Sequence, residues 1–148
     1  MRLLFEELAN RIRSEIPDLD RIVQKIDQGW SHAQRVSEEQ DFYVDSVALN
    51  LHSFYTGLER LFELIARRVD LTLPIGETWH RDLLRQMTQD LTGVRPSVIG
   101  KESAFALDKF RRFRHLVQNV YAVNLAPDKM TDLISDLAGL WDKLLTSI

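Results

Sequence analysis

The stretch 109–121, KFRRFRHLVQNVY, holds the densest set of side chains in this chain that could do chemistry. If it forms a helix, each residue is rotated by about 100° from the one before. One side of that helix is then apolar, with Phe110, Phe113, Leu116, Val117 and Val120. The opposite side carries Arg111, Arg112, Arg114, His115, Gln118, Asn119 and Tyr121. The apolar side can be buried, and the polar side has more positive charge and hydrogen-bonding groups than a solvated face needs.

The plainer interpretation of this polar side is an ordinary basic stripe on a surface helix. The alternative is a binding site for a polyanion. The chain has a formal net charge of −3, so overall charge would not hold a nucleic acid nonspecifically. A polyanion would have to bind a local patch, or a patch built from two chains. The segment 109–115 is the best candidate, with Lys101 close by in sequence.

The composition is that of an ordinary globular protein, and 148 residues predict one domain over 1–148 with room for a core. Cysteine is absent, which excludes disulfides and thiolate metal sites and fits the cytoplasmic location that we expect. No apolar run is long enough to span a bilayer, so no membrane partner is expected. Acidic residues interrupt the apolar pattern of 1–16, which predicts a helix rather than a signal peptide.

Apolar residues recur at helical spacing along most of the chain, and no stretch alternates with the period of a strand. Helices are predicted at about 1–15, 17–37, 40–69, 78–92 and 128–146, with a further helix through 109–121. Pro17 should break or kink the first segment, and Ser103 is a candidate cap for the helix through 109–121. Gly57 lies inside the third segment, where a close helix crossing would explain it. The pattern predicts an all-α antiparallel bundle of four to five helices.

The other polar residues give weaker signals. His80 follows Trp79, and a packing role or a place at a helix N-terminus is favoured over chemistry. His52 lies between apolar positions, which favours one satisfied buried hydrogen bond. Glu59 and Glu63 are one helical turn apart, but the Glu-x-x-His partners of a di-iron bundle are missing. There is no phosphate loop, nucleophile elbow or zinc motif, so we expect neither a metal nor a cofactor.

Four segments make the chain resemble a HEPN domain of the HepT-like branch. They are FYTGLERLFELIA (54–66), PIGETWHRDLL (74–84), RPSVIG (95–100) and FRRFRHLVQNVYAVNL (110–125). The resemblance implies a helical bundle that dimerises. It also implies a metal-independent endoribonuclease that acts on tRNA or other RNA, as many family members are. In toxin–antitoxin pairs of this type, a minimal nucleotidyltransferase (MNT) serves as antitoxin and adds AMP to a tyrosine of the toxin.

The family signature is an arginine, four to six further residues and a histidine, followed in HepT proteins by a tyrosine two residues later. Arg114 aligns with the arginine and Tyr121 with the tyrosine, but Asn119 stands where the histidine is expected. Asparagine can hold a phosphate or a ribose hydroxyl, yet it cannot act as a general acid or base at pH 7. His115 lies one turn before position 119 and on the same side of the helix, so it could supply the proton transfer.

The resemblance leads to two hypotheses. In the first, the chain is a ribonuclease toxin in which Arg114 stabilises the phosphorane and His115 is acid or base. Asn119 then positions RNA and Tyr121 is the AMPylation site. The RNA-binding residues would be Lys109, Arg111, Arg112 and Gln118, and a homodimer would join two such faces into a basic cleft. In the second, Asn119 marks a catalytically inactive scaffold that binds a nucleotidyltransferase or a nucleotide.

Overall fold

Five α-helices make up most of the computed structural model, which describes residues 2–35, 38, 40–119 and 127–147, with side chains in 5–35, 38, 40–116 and 130–147. The helices are α1 (Arg2–Arg35), α2 (Gln40–Ile65), α3 (Trp79–Met87), α4 (Lys101–Asn119) and α5 (Pro127–Ser147). A π-helical turn, Ala66–Asp70, continues α2. Apart from one isolated bridge between Leu91 and Arg95, the described residues contain no β structure. The prediction of an all-α bundle is therefore confirmed.

The first two predicted helices form one continuous helix, so the predicted break at Pro17 is wrong. Proline removes one backbone hydrogen bond from a helix interior. Burial of apolar side chains on both sides of Pro17 outweighs that loss, because most helical stability in proteins comes from packing. Leu8 precedes Pro17, and Leu19 and Ile26 follow it, and all three are buried. We infer that burial of this stripe holds α1 together.

Helices α1 and α2 pack closely as an antiparallel pair. A Cβ placed on Gly57 would lie 2.7 Å from Leu19 Cδ2, and a Cβ on Gly29 would lie 3.0 Å from Val47 Cγ2. Later residues of α1 therefore contact earlier residues of α2, as antiparallel helices require. The close crossing predicted at Gly57 is confirmed, since no larger residue fits there without displacing a buried leucine.

The connection between α3 and α4 is compact and folds back on the end of α3. The predicted helix 78–92 ends at Met87, whose carbonyl accepts the backbone N–H groups of Val98 and Ile99 at 2.9 and 3.2 Å. Arg95 donates from Nε and Nη2 to the two carboxylate oxygens of Asp70, both at 2.6 Å. This ion pair fastens the connection to the π-helical turn that follows α2.

Helix α4 begins before the predicted cap. Its first turn is closed by the N–H of Ala104, which donates to the carbonyl of Gly100 at 3.0 Å. Ser103 is consequently inside the helix and buried, so its prediction as a cap is wrong. The helices α2, α4 and α5 meet at Phe54, whose ring lies 5.8 Å from that of Phe110 and 5.6 Å from that of Trp141.

Candidate functional site

The inner side of α4 contains one charged residue among its apolar ones. Leu107, Phe110 and Phe113 are buried, and the two phenylalanines belong to the side that was predicted to be apolar. Arg114 follows Phe110 by four residues, so the two side chains are only about 40° apart around the helix. Arg114 is 6% exposed, and the prediction that it lies on the polar outer side is therefore wrong.

A carboxylate on α2 compensates the buried charge of Arg114. Nη1 of Arg114 donates to Glu59 Oε1 at 3.0 Å, and Nη2 of Arg114 donates to Glu59 Oε2 at 3.1 Å. Glu59 is itself 5% exposed. Nη1 also lies 3.4 Å from Thr56 Oγ1, and the guanidinium carbon lies 4.6 Å from the centre of the Tyr55 ring. A parallel two-bond pair of this kind fixes the orientation as well as the position of the guanidinium.

The third member of this cluster is His80, the second residue of α3. Its Nδ1 lies 2.8 Å from Glu59 Oε2 and 3.1 Å from Arg114 Nη2. The carboxylate can only accept, so Nδ1 carries the proton and donates it to Oε2, and Nη2 donates to the same carboxylate. The ring of His80 also stacks on that of Trp79 at 3.7 Å. We call Glu59, His80 and Arg114 the α2–α3–α4 ionic cluster.

Two titratable groups on α2 respond to this cluster. Burial raises the pKa of the Tyr55 phenol, and the negative charge of Glu59 raises it further. Partial burial lowers the pKa of His52, and the positive charge of Arg114 adds to that effect. His52 is half-buried rather than enclosed. Both shifts favour the neutral form of the side chain, so the cluster is flanked by uncharged groups near neutral pH.

The outer side of α4 faces a different neighbour. A cavity of about 410 Å³ lies between α4 and α5, and the described residues that line it are Lys109, Arg112, Phe113, His115, Leu116, Asp132 and Leu133. His115 and Arg112 are exposed. The cavity has the volume of a small-ligand site, and its polar lining combines two cations, an imidazole and one carboxylate.

The cations of α4 are partly compensated along the helix itself. Arg111 Nε donates to Asp108 Oδ1 at 2.7 Å, and Arg112 Nε lies 3.3 Å from Asp108 Oδ2. Lys109 Nζ lies 5.4 Å from the centre of the Phe105 ring. Arg111 is half-buried and does not line the cavity. Lys109 and Arg112 are therefore the predicted RNA-binding residues that the structure brings to the cavity.

The predicted catalytic residues are not all brought together within the described part of the chain. Arg114 contacts α2 and α3, whereas His115 lines the cavity beside α5. Asn119 ends α4, but its side chain and that of Gln118 lie outside the described side chains, and Tyr121 lies outside the described residues. The predicted polar face of α4 therefore does not include Arg114, and the placement of Gln118, Asn119 and Tyr121 on it stays a prediction.

Glu59 and His80 are the site residues that sequence analysis missed. Both lie inside segments that carry the family resemblance, at 54–66 and 74–84. That location was the feature of the sequence that could have indicated a functional role for them. Their partner is far away in sequence: Glu59 and Arg114 are 55 residues apart and His80 and Arg114 are 34 apart. Helical spacing within one segment cannot reveal such a pairing.

Two kinds of feature are not found among the described residues. No group of three or more His, Asp and Glu side chains there is placed to hold a metal ion. No described helix is both long enough and apolar enough to cross a membrane.

The described helices form an all-α bundle, and the family model places that bundle in the class of HEPN-like domains. The family model for HepT-like proteins matches residues 46–148, which run from within α2 to the end of α5. The chain therefore belongs to the HepT-like family, as the sequence motifs predicted. Neither the curated proteins nor the solved structures contain a match to it.

Proposed function

We propose that this HepT-like protein is the toxin of a toxin–antitoxin pair and acts as a metal-independent endoribonuclease, with tRNA as the expected RNA. The observation that carries the proposal is the placement of His115, Lys109 and Arg112 around one open cavity in a HepT-like domain. Two cations bind phosphate groups at this surface, and the imidazole is exposed beside them.

Cleavage of RNA without a metal needs a base, an acid and a cation. The base takes the ribose 2′-hydroxyl proton while the 2′-oxygen bonds to phosphorus. The acid protonates the 5′-oxygen as its bond to phosphorus breaks, which leaves a 2′,3′-cyclic phosphate and a 5′-hydroxyl. His115 serves as one of the two proton-transfer groups. Arg114 stabilises the phosphorane, with its orientation set by Glu59.

A homodimer is part of this proposal. The chain carries a net charge of −3, and Asp108 offsets part of the positive charge of α4. Two copies related by a two-fold axis would place two such faces side by side, because an isologous interface repeats the same patch. The combined cleft would attract RNA more strongly than either face. Arg111, Gln118 and Asn119 are proposed to contact RNA there.

The proposed partner is an MNT-type nucleotidyltransferase that acts as antitoxin. The phenolic oxygen of Tyr121 would attack the α-phosphorus of ATP, which transfers AMP to the tyrosine and releases pyrophosphate. The added bulk and negative charge would block the RNA surface. Mass spectrometry after co-expression tests this step. Tyr121 that stays unmodified beside an active transferase would count against it.

Two observations favour a second candidate, a catalytically inactive scaffold that binds a nucleotidyltransferase or a nucleotide. Asn119 replaces the signature histidine. The guanidinium of Arg114 is buried and already paired with Glu59. In this case the cavity beside His115 would hold a nucleotide phosphate without cleaving anything.

The decisive experiment incubates the purified protein with tRNA in EDTA and follows cleavage. We expect cleavage by the wild-type protein and at least a 100-fold loss in His115→Asn, since general acid–base catalysis contributes about 10²–10⁴-fold. If neither the wild type nor Asn119→His cleaves tRNA, the ribonuclease proposal is removed. Cleavage by Asn119→His alone would favour the scaffold.

RNA binding is tested separately with Lys109→Ala and a matched control, Lys25→Ala, on the exposed side of α1. Removing one phosphate contact should weaken binding and reduce the slope of log K against log salt by about one. Lys25→Ala should leave both quantities unchanged. Equal effects of the two substitutions would mean that the binding is unspecific and that α4 has no special part in it.

A further inference from the structure

A metal-free ribonuclease needs two groups that transfer protons near neutral pH. The polar side of α4 supplies His115, but asparagine at position 119 cannot titrate. The chain has four histidines, so the second imidazole must come from another helix or from a second copy. A second imidazole is needed only if the proposed ribonuclease function holds, so the inference rests on that function.

The ring of His80 contacts Arg114, the arginine that the family resemblance singles out. Its Nδ1 lies 3.1 Å from Arg114 Nη2 and 2.8 Å from Glu59 Oε2. By contrast, His32 stacks on Tyr43 in the contact between α1 and α2. The tertiary structure thus brings an arginine and a histidine together, although the pairing does not follow the spacing of the family signature.

The contacts of His80 suit proton transfer. The carboxylate of Glu59 holds the proton on Nδ1, which leaves Nε2 as the ring nitrogen that can take a proton from a substrate. A buried carboxylate in that position also stabilises the imidazolium that forms, as it does in the histidine–carboxylate pairs of hydrolases. Stacking on Trp79 sets the plane of the ring.

Exposure distinguishes His80 from the other two members of the ionic cluster. Its side chain is 36% exposed, whereas Glu59 and Arg114 are buried. The imidazole is therefore the most accessible part of the cluster for a bound RNA. A clamp that only joined three helices would have no need for an accessible ring.

We propose that His80 is the general base of RNA cleavage and His115 the acid. Arg114 contacts His80 directly, and His115 follows Arg114 in α4, rotated from it by about 100° around the helix. Nε2 of His80 takes the 2′-hydroxyl proton while the 2′-oxygen bonds to phosphorus. His115 gives its proton to the departing 5′-oxygen.

The test compares RNA cleavage in EDTA by the full chain and three variants. His80→Asn removes the base, and His80→Gln keeps a donor for Glu59 but cannot titrate. His32→Asn is the matched control. We expect both His80 variants to lose at least about 100-fold in kcat with little change in KM. They should also lose the acidic limb of the pH–rate profile, because that limb reports protonation of the base. His32→Asn should keep the wild-type profile.

Chemical rescue separates a catalytic role from a structural one. Imidazole added to His80→Ala should restore part of the lost kcat, which a packing defect would not allow. A wild-type kcat in His80→Gln would overturn the proposal for His80 and leave the ribonuclease function standing. An inactive wild type beside an active Asn119→His would also overturn it, since His80 would then not replace the missing histidine. Inactivity of both would remove the ribonuclease function and this inference together.

Discussion

Glu59→Gln tests whether the buried charge of Arg114 depends on its carboxylate. Glutamine has the size of glutamate but is neutral, so the substitution leaves the guanidinium buried without a counter-charge. The amide NH₂ also takes the place of one carboxylate oxygen. In either orientation this NH₂ faces an N–H donor, because Glu59 Oε1 accepts from Arg114 Nη1, and Glu59 Oε2 accepts from both Arg114 Nη2 and His80 Nδ1. At least one of these bonds is lost whichever way the amide turns.

Removing one partner of a buried ion pair costs about 3–5 kcal/mol. The isosteric amide keeps the packing and one acceptor, so we expect a loss near the lower end, about 3 kcal/mol. With an m-value of roughly 2 kcal/mol/M, the urea midpoint should fall by about 1.5 M at unchanged m. For a domain of this size the melting temperature should fall by roughly 6–12 °C.

Urea denaturation of four proteins provides the test. Glu63→Gln is the matched control, because Glu63 is on the same helix one turn later and is half-buried. It should shift stability by less than about 0.5 kcal/mol. The double variant Glu59→Gln/Arg114→Met should be more stable than Glu59→Gln alone, since an apolar pair replaces an unpaired charge. A loss below about 1 kcal/mol in Glu59→Gln, or no recovery in the double variant, would refute this reasoning.

The remaining expectations concern a helix crossing and a buried phenol. Gly57→Ala should destabilise the protein by about 1 kcal/mol, because overpacking against Leu19 costs more than the gain in helix propensity. Gly139→Ala, with open space around its Cβ, should instead stabilise it by about 0.5–1 kcal/mol; a rise of the urea midpoint in Gly57→Ala, or a fall in Gly139→Ala, would contradict the corresponding expectation. Burial and Glu59 raise the pKa of Tyr55, so its contribution to stability is complete below the unfolded value near 10 and is lost above it, by up to about 1.4 kcal/mol per pH unit. Tyr55→Phe should flatten this decline between pH 9 and 11, and an unchanged decline would show that other groups cause it.

The spacing of apolar residues within each segment was enough to predict most of the helices. The apolar residues of α5 recur at three and four positions, which only a helix can bring to one side, and Met130, Leu133, Leu137, Leu140 and Leu144 are buried, whereas Leu145 is exposed. Gly57 was informative for a similar reason. A residue that disfavours a helix but lies in a strong helical pattern indicates a close neighbour, and the structure has one in Leu19.

Tertiary structure decided the course of α1 and the start of α4. Proline is unfavourable in a helix interior, yet α1 continues through Pro17 because its apolar stripe is buried on both sides of that position. Ser103 has the chemistry of a cap, but the helix starts before it. A proline inside a helix costs about 3 kcal/mol and a missing cap about 1 kcal/mol, and the burial of a few apolar side chains, at about 1.5–3 kcal/mol each, exceeds both.

The family resemblance singled out Arg114, Asn119 and Tyr121 as candidate site residues, because they lie within one short segment. It did not reveal that Arg114 is buried. A long charged side chain at the edge of an apolar stripe can face either way, and the choice depends on whether another helix offers a counter-charge. Glu59 offers it from 55 residues away, and His80 joins from α3. Only the packing of three helices could bring these groups together, since spacing describes each helix alone and not its rotation against the others.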